Sequence, residues 1–306
     1  MFHGVMTALI TPFKIDEGGC SSIDRVAYCA HLDRQIAAGV SGLIPAGTTG
    51  EAATLSFDEH KALIELTVRH VAGRTAVIAG TGSNNTAESI ALTEAAKKIG
   101  ADAALLISPY YNKPMQEGIY QHYKAVADAV DLPQILYNVP SRTNSNLSPG
   151  TVARLSQLDN IVGIKDATAD LAQLTRCKML CSDDFEFYSG DDATVLPFMS
   201  LGGNGVISVV SNLAPRTMEK LTNSMSAGDL DSARQAHFAL QNLTDALFVQ
   251  SNPIPVKAAC ALMGWMHGEL RLPLTPLTPD EENDLQAIMQ SFHSEWETLQ
   301  LAVPHS

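Results

Sequence analysis

Eight short apolar stretches recur along the chain, and a longer segment with helical signals separates each from the next. They are nearly continuous in apolar residues instead of alternating, which is typical of parallel strands covered on both faces. The stretches lie at residues 4–11, 39–46, 75–82, 101–109, 134–140, 161–167, 185–191 and 203–210. Eight strand–helix units in about 225 residues match the number and size of a (β/α)8 TIM barrel. A doubly wound open sheet is the alternative, but no GxGxxG follows the first stretch.

The segments between these stretches carry signals for helix starts and ends. Ser56 is followed three residues later by Glu59, which predicts a capping box. Ser148 precedes Pro149, which places proline at a first helical position. Gly100 stands just past a helix-like segment, where a left-handed residue is favoured. These signals predict that helices connect the strands, as the barrel requires.

The strand signals stop after residue 228. Residues 229–250, 255–263 and 280–300 are helix-like, and a further cap begins at Thr278. No stretch is rich enough in glycine or serine to separate independent domains. We therefore predict an α/β chain with a catalytic barrel over residues 1–228 and a helical extension over residues 229–306 that packs against it.

Composition excludes several classes of function. Lysine and arginine number 20 against 33 aspartate and glutamate residues, a formal charge of −13 that disfavours nucleic-acid binding. The five cysteines include no CxxC pair and the nine histidines no HExxH, so we expect no disulfide framework, metal or cofactor. No apolar stretch reaches membrane-spanning length and no secretory signal is evident, so we expect a cytoplasmic protein without a membrane partner.

Lys165 directly follows an apolar strand, the sixth of the eight. In a barrel, catalytic groups sit at the carboxyl ends of strands. Burial of the lysine stem would disfavour the ammonium and supply a neutral amine, which attacks ketones to form an imine. The alternative is a lysine whose amine extends from the strand end into solvent.

Three further strand ends carry chemically unusual residues. The fifth ends in Tyr137, a possible proton relay, with Arg142 nearby to bind a carboxylate; the alternative is a core tyrosine and a surface arginine. The second ends in Gly-Thr-Thr-Gly-Glu at residues 47–51, a loop that either binds an anion or is an ordinary turn. The fourth ends in the pair Tyr110 and Tyr111, of which one could reach a partner subunit. Together these ends would converge on one pocket.

At these residues the sequence resembles the pyruvate-dependent class I aldolases, the superfamily that contains dihydrodipicolinate synthase and N-acetylneuraminate lyase. The resemblance extends over essentially the whole chain. It is carried by four motifs, at residues 47–51, 110–112, 137–143 and 163–168. It implies a barrel enzyme that assembles as a homotetramer, a dimer of dimers.

The resemblance implies a catalytic role for four side chains. Lys165 would form the imine with pyruvate. Tyr137, Thr48 and Tyr111 would relay protons, with Tyr111 donated across a dimer interface.

The resemblance also implies which residues bind the substrates. Thr49 would hold the pyruvate carboxylate and Arg142 the carboxylate of aspartate semialdehyde. Gly190 and Ile207 match positions near the substrate.

A possible lysine effector site between subunits follows from the same resemblance. Five residues match it: Ala53, His60, Asn84, Glu88 and Tyr110. Phe57 stands where some inhibited members carry histidine, so the sequence leaves inhibition by lysine open.

The activity that the resemblance implies is condensation of pyruvate with aspartate semialdehyde to 4-hydroxy-tetrahydrodipicolinate. This is the first committed step of diaminopimelate and lysine biosynthesis. Arg142 favours this reaction, because the sialic-acid lyases lack an arginine at this point. One alternative is another pyruvate-dependent keto-acid or sugar-acid aldolase, and a second is a non-catalytic barrel that binds pyruvate or lysine.

Overall fold

The computed structural model describes residues 2–292, and their central feature is a closed barrel of parallel strands. The barrel strands are β1 (Gly4–Ala8), β4 (Gly42–Ile44), β5 (Ala76–Gly80), β6 (Ala103–Ile107), β7 (Gln134–Asn138), β8 (Ile161–Asp166), β9 (Glu186–Ser189) and β10 (Gly205–Ser208). Their order around the barrel is β1-β10-β9-β8-β7-β6-β5-β4, and β4 pairs with β1 to close it. One strand lies within each predicted stretch, so the predicted (β/α)8 fold is confirmed.

Helices follow the barrel strands and form the outer layer. They are α1 (Arg25–Ala38), α2 (Phe57–Val71), α3 (Thr86–Ile99), α4 (Gln116–Ala129), α5 (Pro140–Thr143), α6 (Pro149–Leu155), α7 (Leu171–Leu180), α8 (Val195–Ser200) and α9 (Pro215–Ser226). The predicted capping box of Ser56 and Glu59 is present at the start of α2, and Gly100 ends α3 with a φ of 98°. A short antiparallel hairpin, β2 (Phe13–Ile15) and β3 (Ser21–Ile23), was not predicted.

Three helices beyond the barrel make up the C-terminal extension. They are α10 (Leu230–Leu247), α11 (Ile254–Leu262) and α12 (Pro279–Met289). The capping box at Thr278 and Glu281 starts α12 as predicted, and residues 293–300 of that predicted helix lie outside the described residues. Val206 of the barrel and Leu243 and Val256 of the extension share one hydrophobic cluster. The hydrophobic core is therefore continuous across residue 228. The division of the chain into two parts at this residue stays a prediction.

Side chains on the barrel strands alternate between two apolar layers. Leu136 and Ile164 point outward to the helices, whereas Ile135 and Tyr137 point into the barrel interior. The side chain of Lys165 follows Ile164 and is therefore directed inward, toward the carboxyl end of the barrel. Within residues 2–292 no helix is both long and apolar enough to cross a membrane.

Candidate active site

A cavity of about 510 Å³ opens at the carboxyl ends of the barrel strands. This is the face on which barrel enzymes carry their catalytic groups. Nine of the predicted site residues line it: Thr48, Thr49, Ala53, His60, Glu88, Tyr110, Tyr137, Arg142 and Lys165. Residues of the C-terminal extension, among them Asn252 and Pro273, complete the wall. The structure thus brings residues from five strand–helix units of the barrel and from the extension to one place.

Lys165 is the fifth residue of β8, and its side chain is almost entirely buried, with 5% of the residue exposed. Burial lowers the pKa of its amine to about 7, and the positive charge of Arg142 acts in the same direction. The carboxyl group of Asp192 opposes this effect. The amine is therefore substantially neutral at physiological pH, and the alternative of a lysine extending into solvent does not hold.

We predict that the rate of imine formation between Lys165 and pyruvate, the ketone that the family resemblance implies, rises with pH through about 7 and levels off above it. Only the neutral amine is a nucleophile, so the rate rises over the pH range in which the amine loses its proton. Because the pKa of Lys165 is lowered, this range lies below that of an ordinary lysine, whose pKa is about 10.4. The pH dependence can be measured from the initial rates at which cyanoborohydride traps the adduct on Lys165, between about pH 5.5 and about pH 9.5. A rate that still climbs steeply above about pH 9 would show that the amine is not perturbed in this way.

Gly190 gives the Lys165 side chain its space. A Cβ atom at position 190 would lie 2.9 Å from Cε and 3.0 Å from Cγ of Lys165. Neither Gly190 nor Ile207 lines the open cavity. Ile207 on β10 is buried in the barrel interior, in the same apolar cluster as Tyr137. Both residues therefore lie beside the site residues, Gly190 against Lys165 and Ile207 in the cluster of Tyr137, and not in the cavity wall.

Tyr137 lies beside Lys165. The two residues are paired in the register of β7 and β8, and the lysine Nζ lies 4.2 Å from the centre of the tyrosine ring. Burial raises the pKa of the phenol, while Arg142 and the hydroxyl of Thr48 act in the opposite direction. The phenol therefore stays protonated at neutral pH, and it can donate a proton beside the amine.

Two other predicted residues do not reach this cavity within one chain. Tyr111 has a φ of 69° and is 90% exposed, and it does not line the cavity. Asn84 donates a hydrogen bond to the carbonyl of Tyr110, over 3.1 Å, but does not line the cavity. His60 and Glu88, which were predicted to share a site with Asn84, do line the cavity. His60 forms a hydrogen bond through Nε2 with the carbonyl of Gly80, over 2.7 Å, and Glu88 accepts a hydrogen bond from Ser83.

The interpretation of the sequence missed a buried ion pair behind the site. Lys257 of α11 donates to Glu51 over 2.6 Å, and neither side chain is exposed. Glu51 ends the loop that carries Thr48 and Thr49, and it adopts a φ of 56°. Lys257 is the one charged residue of the apolar helix Ile254–Leu262. That isolation is a sequence signal that could have indicated a buried partner.

A second missed residue is Asn252, which the sequence marks only as part of a proline-rich joint. It lines the cavity and contacts both Thr49 and Arg142. Among residues 2–292 no group of three or more histidine, cysteine or acidic side chains is arranged to hold a metal ion. The amine of Lys165 and the guanidinium of Arg142, which both line the cavity, are suited to an anionic carbonyl compound.

The chain is similar in sequence and in structure to proteins of one known family. The model of the dihydrodipicolinate synthetase family matches residues 1–292. A 4-hydroxy-tetrahydrodipicolinate synthase from Pelobacter propionicus is 50% identical over 292 residues, which cover 95% of this chain and 99% of that protein. The crystal structure of dihydrodipicolinate synthase from Aquifex aeolicus superposes with a TM-score of 0.92 at 43% identity, over 95% of this chain and 98% of that one. The dihydrodipicolinate synthase from Cyanidioschyzon merolae, solved with lysine bound, superposes with a TM-score of 0.91 at 42% identity, over 95% of this chain and 98% of that one.

Proposed function

The chain belongs to the dihydrodipicolinate synthetase family, and we propose from this membership and its site that it is a lyase that condenses pyruvate with L-aspartate-4-semialdehyde. The product is 4-hydroxy-tetrahydrodipicolinate, and the reaction opens the diaminopimelate branch of lysine biosynthesis. The observation that carries the proposal is the buried amine of Lys165, with a pKa of about 7, in one cavity with Tyr137 and Arg142.

The first half of the reaction makes pyruvate a nucleophile. The neutral amine of Lys165 attacks the ketone carbon, and the resulting carbinolamine loses water to form an imine. The imine withdraws electrons, so that a proton leaves the methyl group and an enamine forms. Tyr137 is the nearest phenol, and Thr48 lies next to it. We assign these two groups to the proton transfers.

The second half of the reaction joins the two substrates. The enamine carbon attacks the aldehyde, whose oxygen takes up a proton and becomes the hydroxyl group of the product. The amino group of the semialdehyde then attacks the imine carbon and displaces Lys165, which closes the ring and regenerates the free amine. One water molecule is released in all, from the carbinolamine, so the condensation needs no oxidant or reductant.

Both substrates carry a carboxylate, and the cavity offers a separate group for each. Thr49 is buried and lines the cavity, and its hydroxyl suits the carboxylate of pyruvate. Arg142 lies on the exposed side of the cavity, where it suits the carboxylate of the entering semialdehyde. A local cation is needed there, because the chain as a whole has a formal charge of −13 and repels anions.

Assembly and regulation extend the proposal. The ring of Tyr111 is too exposed to act within its own chain, and we propose that it completes the relay of a partner subunit in a cytoplasmic homotetramer. Sedimentation of the active enzyme as a monomer would contradict this. We further assign Ala53, His60, Asn84, Glu88 and Tyr110 to a lysine effector site, which the lysine-bound relative from Cyanidioschyzon merolae supports.

Turnover of pyruvate and aspartate semialdehyde, coupled to the next reductase, tests the function. Replacing Arg142 with alanine should lower kcat/KM for the semialdehyde by roughly 100-fold, because a carboxylate loses its charged partner. Trapping of the pyruvate adduct by borohydride should persist. Arg69→Ala is the matched control, since that side chain is 78% exposed on α2.

The alternatives give different results in the same assay. Another keto-acid or sugar-acid aldolase would trap pyruvate on Lys165 without turning over aspartate semialdehyde. A non-catalytic barrel would be stabilised by lysine or pyruvate without any turnover.

A further inference from the structure

Asn252 lies between the two groups that we assign to the substrate carboxylates. Its side-chain Nδ2 donates a hydrogen bond to Thr49 Oγ1 over 2.9 Å, and its main-chain oxygen accepts one from Arg142 Nη2 over 3.1 Å. The residue is 7% exposed and belongs to the C-terminal extension, not to the barrel. We propose that Asn252 is a positioning residue, whose amide aims the hydroxyl of Thr49 at the pyruvate carboxylate. The inference rests on the function proposed above.

The direction of the hydrogen bond carries the argument. A threonine hydroxyl has one proton to donate and lone pairs that accept. Because the Asn252 amide group donates to Thr49 Oγ1, the hydroxyl proton must point elsewhere. Thr49 lines the cavity, where a carboxylate is the acceptor that needs such a proton. The amide thus occupies one lone pair of the hydroxyl oxygen and leaves the hydroxyl proton available to an acceptor in the cavity.

The amide can hold this orientation only through its nitrogen. Among the described residues, Oδ1 of Asn252 has no hydrogen-bond partner. The flipped amide would point its NH2 group at that position and leave both buried N–H donors without an acceptor, whereas the present orientation leaves the oxygen and one N–H unpaired. An unpaired buried donor is costly, so the orientation in which Nδ2 meets Thr49 is favoured.

The extension attaches to the Thr49 loop at a second point, which keeps Asn252 in place. Lys257, five residues after Asn252, forms the buried ion pair with Glu51, two residues after Thr49. Two separate links therefore join segment 252–257 to loop 47–51. A segment attached twice cannot slide along the loop, and the amide keeps its distance from the hydroxyl. The extension consequently takes part in the site, although it lies outside the predicted barrel.

The contact with Arg142 differs in kind, because it uses the main chain of Asn252. A side-chain substitution at position 252 removes the amide and leaves the carbonyl oxygen in place. The proposal therefore predicts a split between the two substrates. Binding of pyruvate should depend on the side chain at position 252, whereas binding of aspartate semialdehyde should not. A residue that merely supported the fold would affect both substrates together.

The test measures pyruvate binding alone, by borohydride trapping of the Lys165 adduct over a series of pyruvate concentrations. Asn252→Ala should raise the half-saturating concentration about tenfold, since a hydrogen bond to a charged group loses its direction. Asn252→Asp should raise it further, because a carboxylate would accept the Thr49 proton and repel the substrate. The control is Gln250→Ala, at an exposed neighbouring position.

A double-variant cycle shows whether Asn252 acts through Thr49. In a Thr49→Ala background, adding Asn252→Ala should change the half-saturating pyruvate concentration less than twofold, because the hydroxyl that it orients is gone. The KM for aspartate semialdehyde should stay within about twofold of the wild-type value in Asn252→Ala. Thermal unfolding of each variant accompanies these measurements, and Asn252→Asp keeps the side-chain volume in case alanine destabilises the chain.

Three results would overturn the proposal. The first is a wild-type half-saturating pyruvate concentration in both Asn252→Ala and Asn252→Asp. The second is a full additional effect of Asn252→Ala in the Thr49→Ala background. The third is an equal rise of KM for both substrates. Failure of the proposed function gives a different pattern, since the wild-type protein would then form no adduct on Lys165 or, with the adduct formed, turn over no aspartate semialdehyde.

Discussion

Replacing Lys165 with alanine should abolish turnover and the borohydride-trapped pyruvate adduct together. The imine is the electron sink for every later step, so loss of the amine should lower kcat by roughly 10⁴-fold or more. Mass spectrometry of the trapped wild-type protein should place one pyruvyl unit, reduced, on the peptide containing Lys165. The coupled assay measures the loss of turnover in parallel.

Two controls isolate the nucleophile from the charge and from the fold. Lys165→Arg keeps a positive group on β8 but supplies no neutral amine, so it should be as inactive as alanine. Lys124→Ala removes a partly exposed lysine of α4 that pairs with Asp128, and it should retain wild-type activity. An adduct that persists in Lys165→Ala would move the nucleophile to another residue and refute the mechanism.

Replacing Lys257 with methionine should destabilise the protein more than any surface change. The substitution leaves the carboxylate of Glu51 buried without its partner, which costs about 3–5 kcal/mol. The free energy of unfolding in denaturant should fall by that amount, and the Tm should drop by about 10 °C. Because Glu51 ends the loop of Thr48 and Thr49, activity should fall as well, even where the variant stays folded.

Matched variants show that the penalty comes from the uncompensated charge. Lys61→Met breaks an exposed ion pair with Asp58 and should cost less than about 1 kcal/mol. The double variant Glu51→Gln with Lys257→Met removes both charges and should recover at least half of the lost stability. If the single and double variants are equally unstable, packing of the lysine stem, and not the ion pair, holds the loop.

The barrel could be predicted because its signals are local. Each strand needs a short apolar run, and each helix needs a cap, so Ser56 with Glu59 and the run before Lys165 could be identified without any knowledge of distant residues. The predicted runs extend beyond the strands: residues 101–109 contain β6 at Ala103–Ile107. The run at residues 4–11 likewise continues past Ala8, where β1 ends and the chain bends toward the hairpin.

The hairpin of Phe13–Ile15 and Ser21–Ile23 shows where such signals fail. Its strands are three residues long and largely solvent-accessible, so they leave no periodic pattern. One of its partners outside the hairpin is Arg271, which donates to the carbonyl of Ser21 and stacks on the ring of Phe13. A contact over 250 residues of sequence has no local signature.

The sequence by itself determined the barrel, the strand ends that carry reactive side chains, and the family resemblance, because each depends on residues that are neighbours in the chain. Only the tertiary structure decided that the stem of Lys165 is buried, since its environment comes from Gly190, Tyr137 and Arg142 on other strands and loops. Likewise, Asn252 and Lys257 reach Thr49 and Glu51 across more than 200 positions. Desolvation and hydrogen-bond direction are properties of a three-dimensional environment, and no local pattern specifies them.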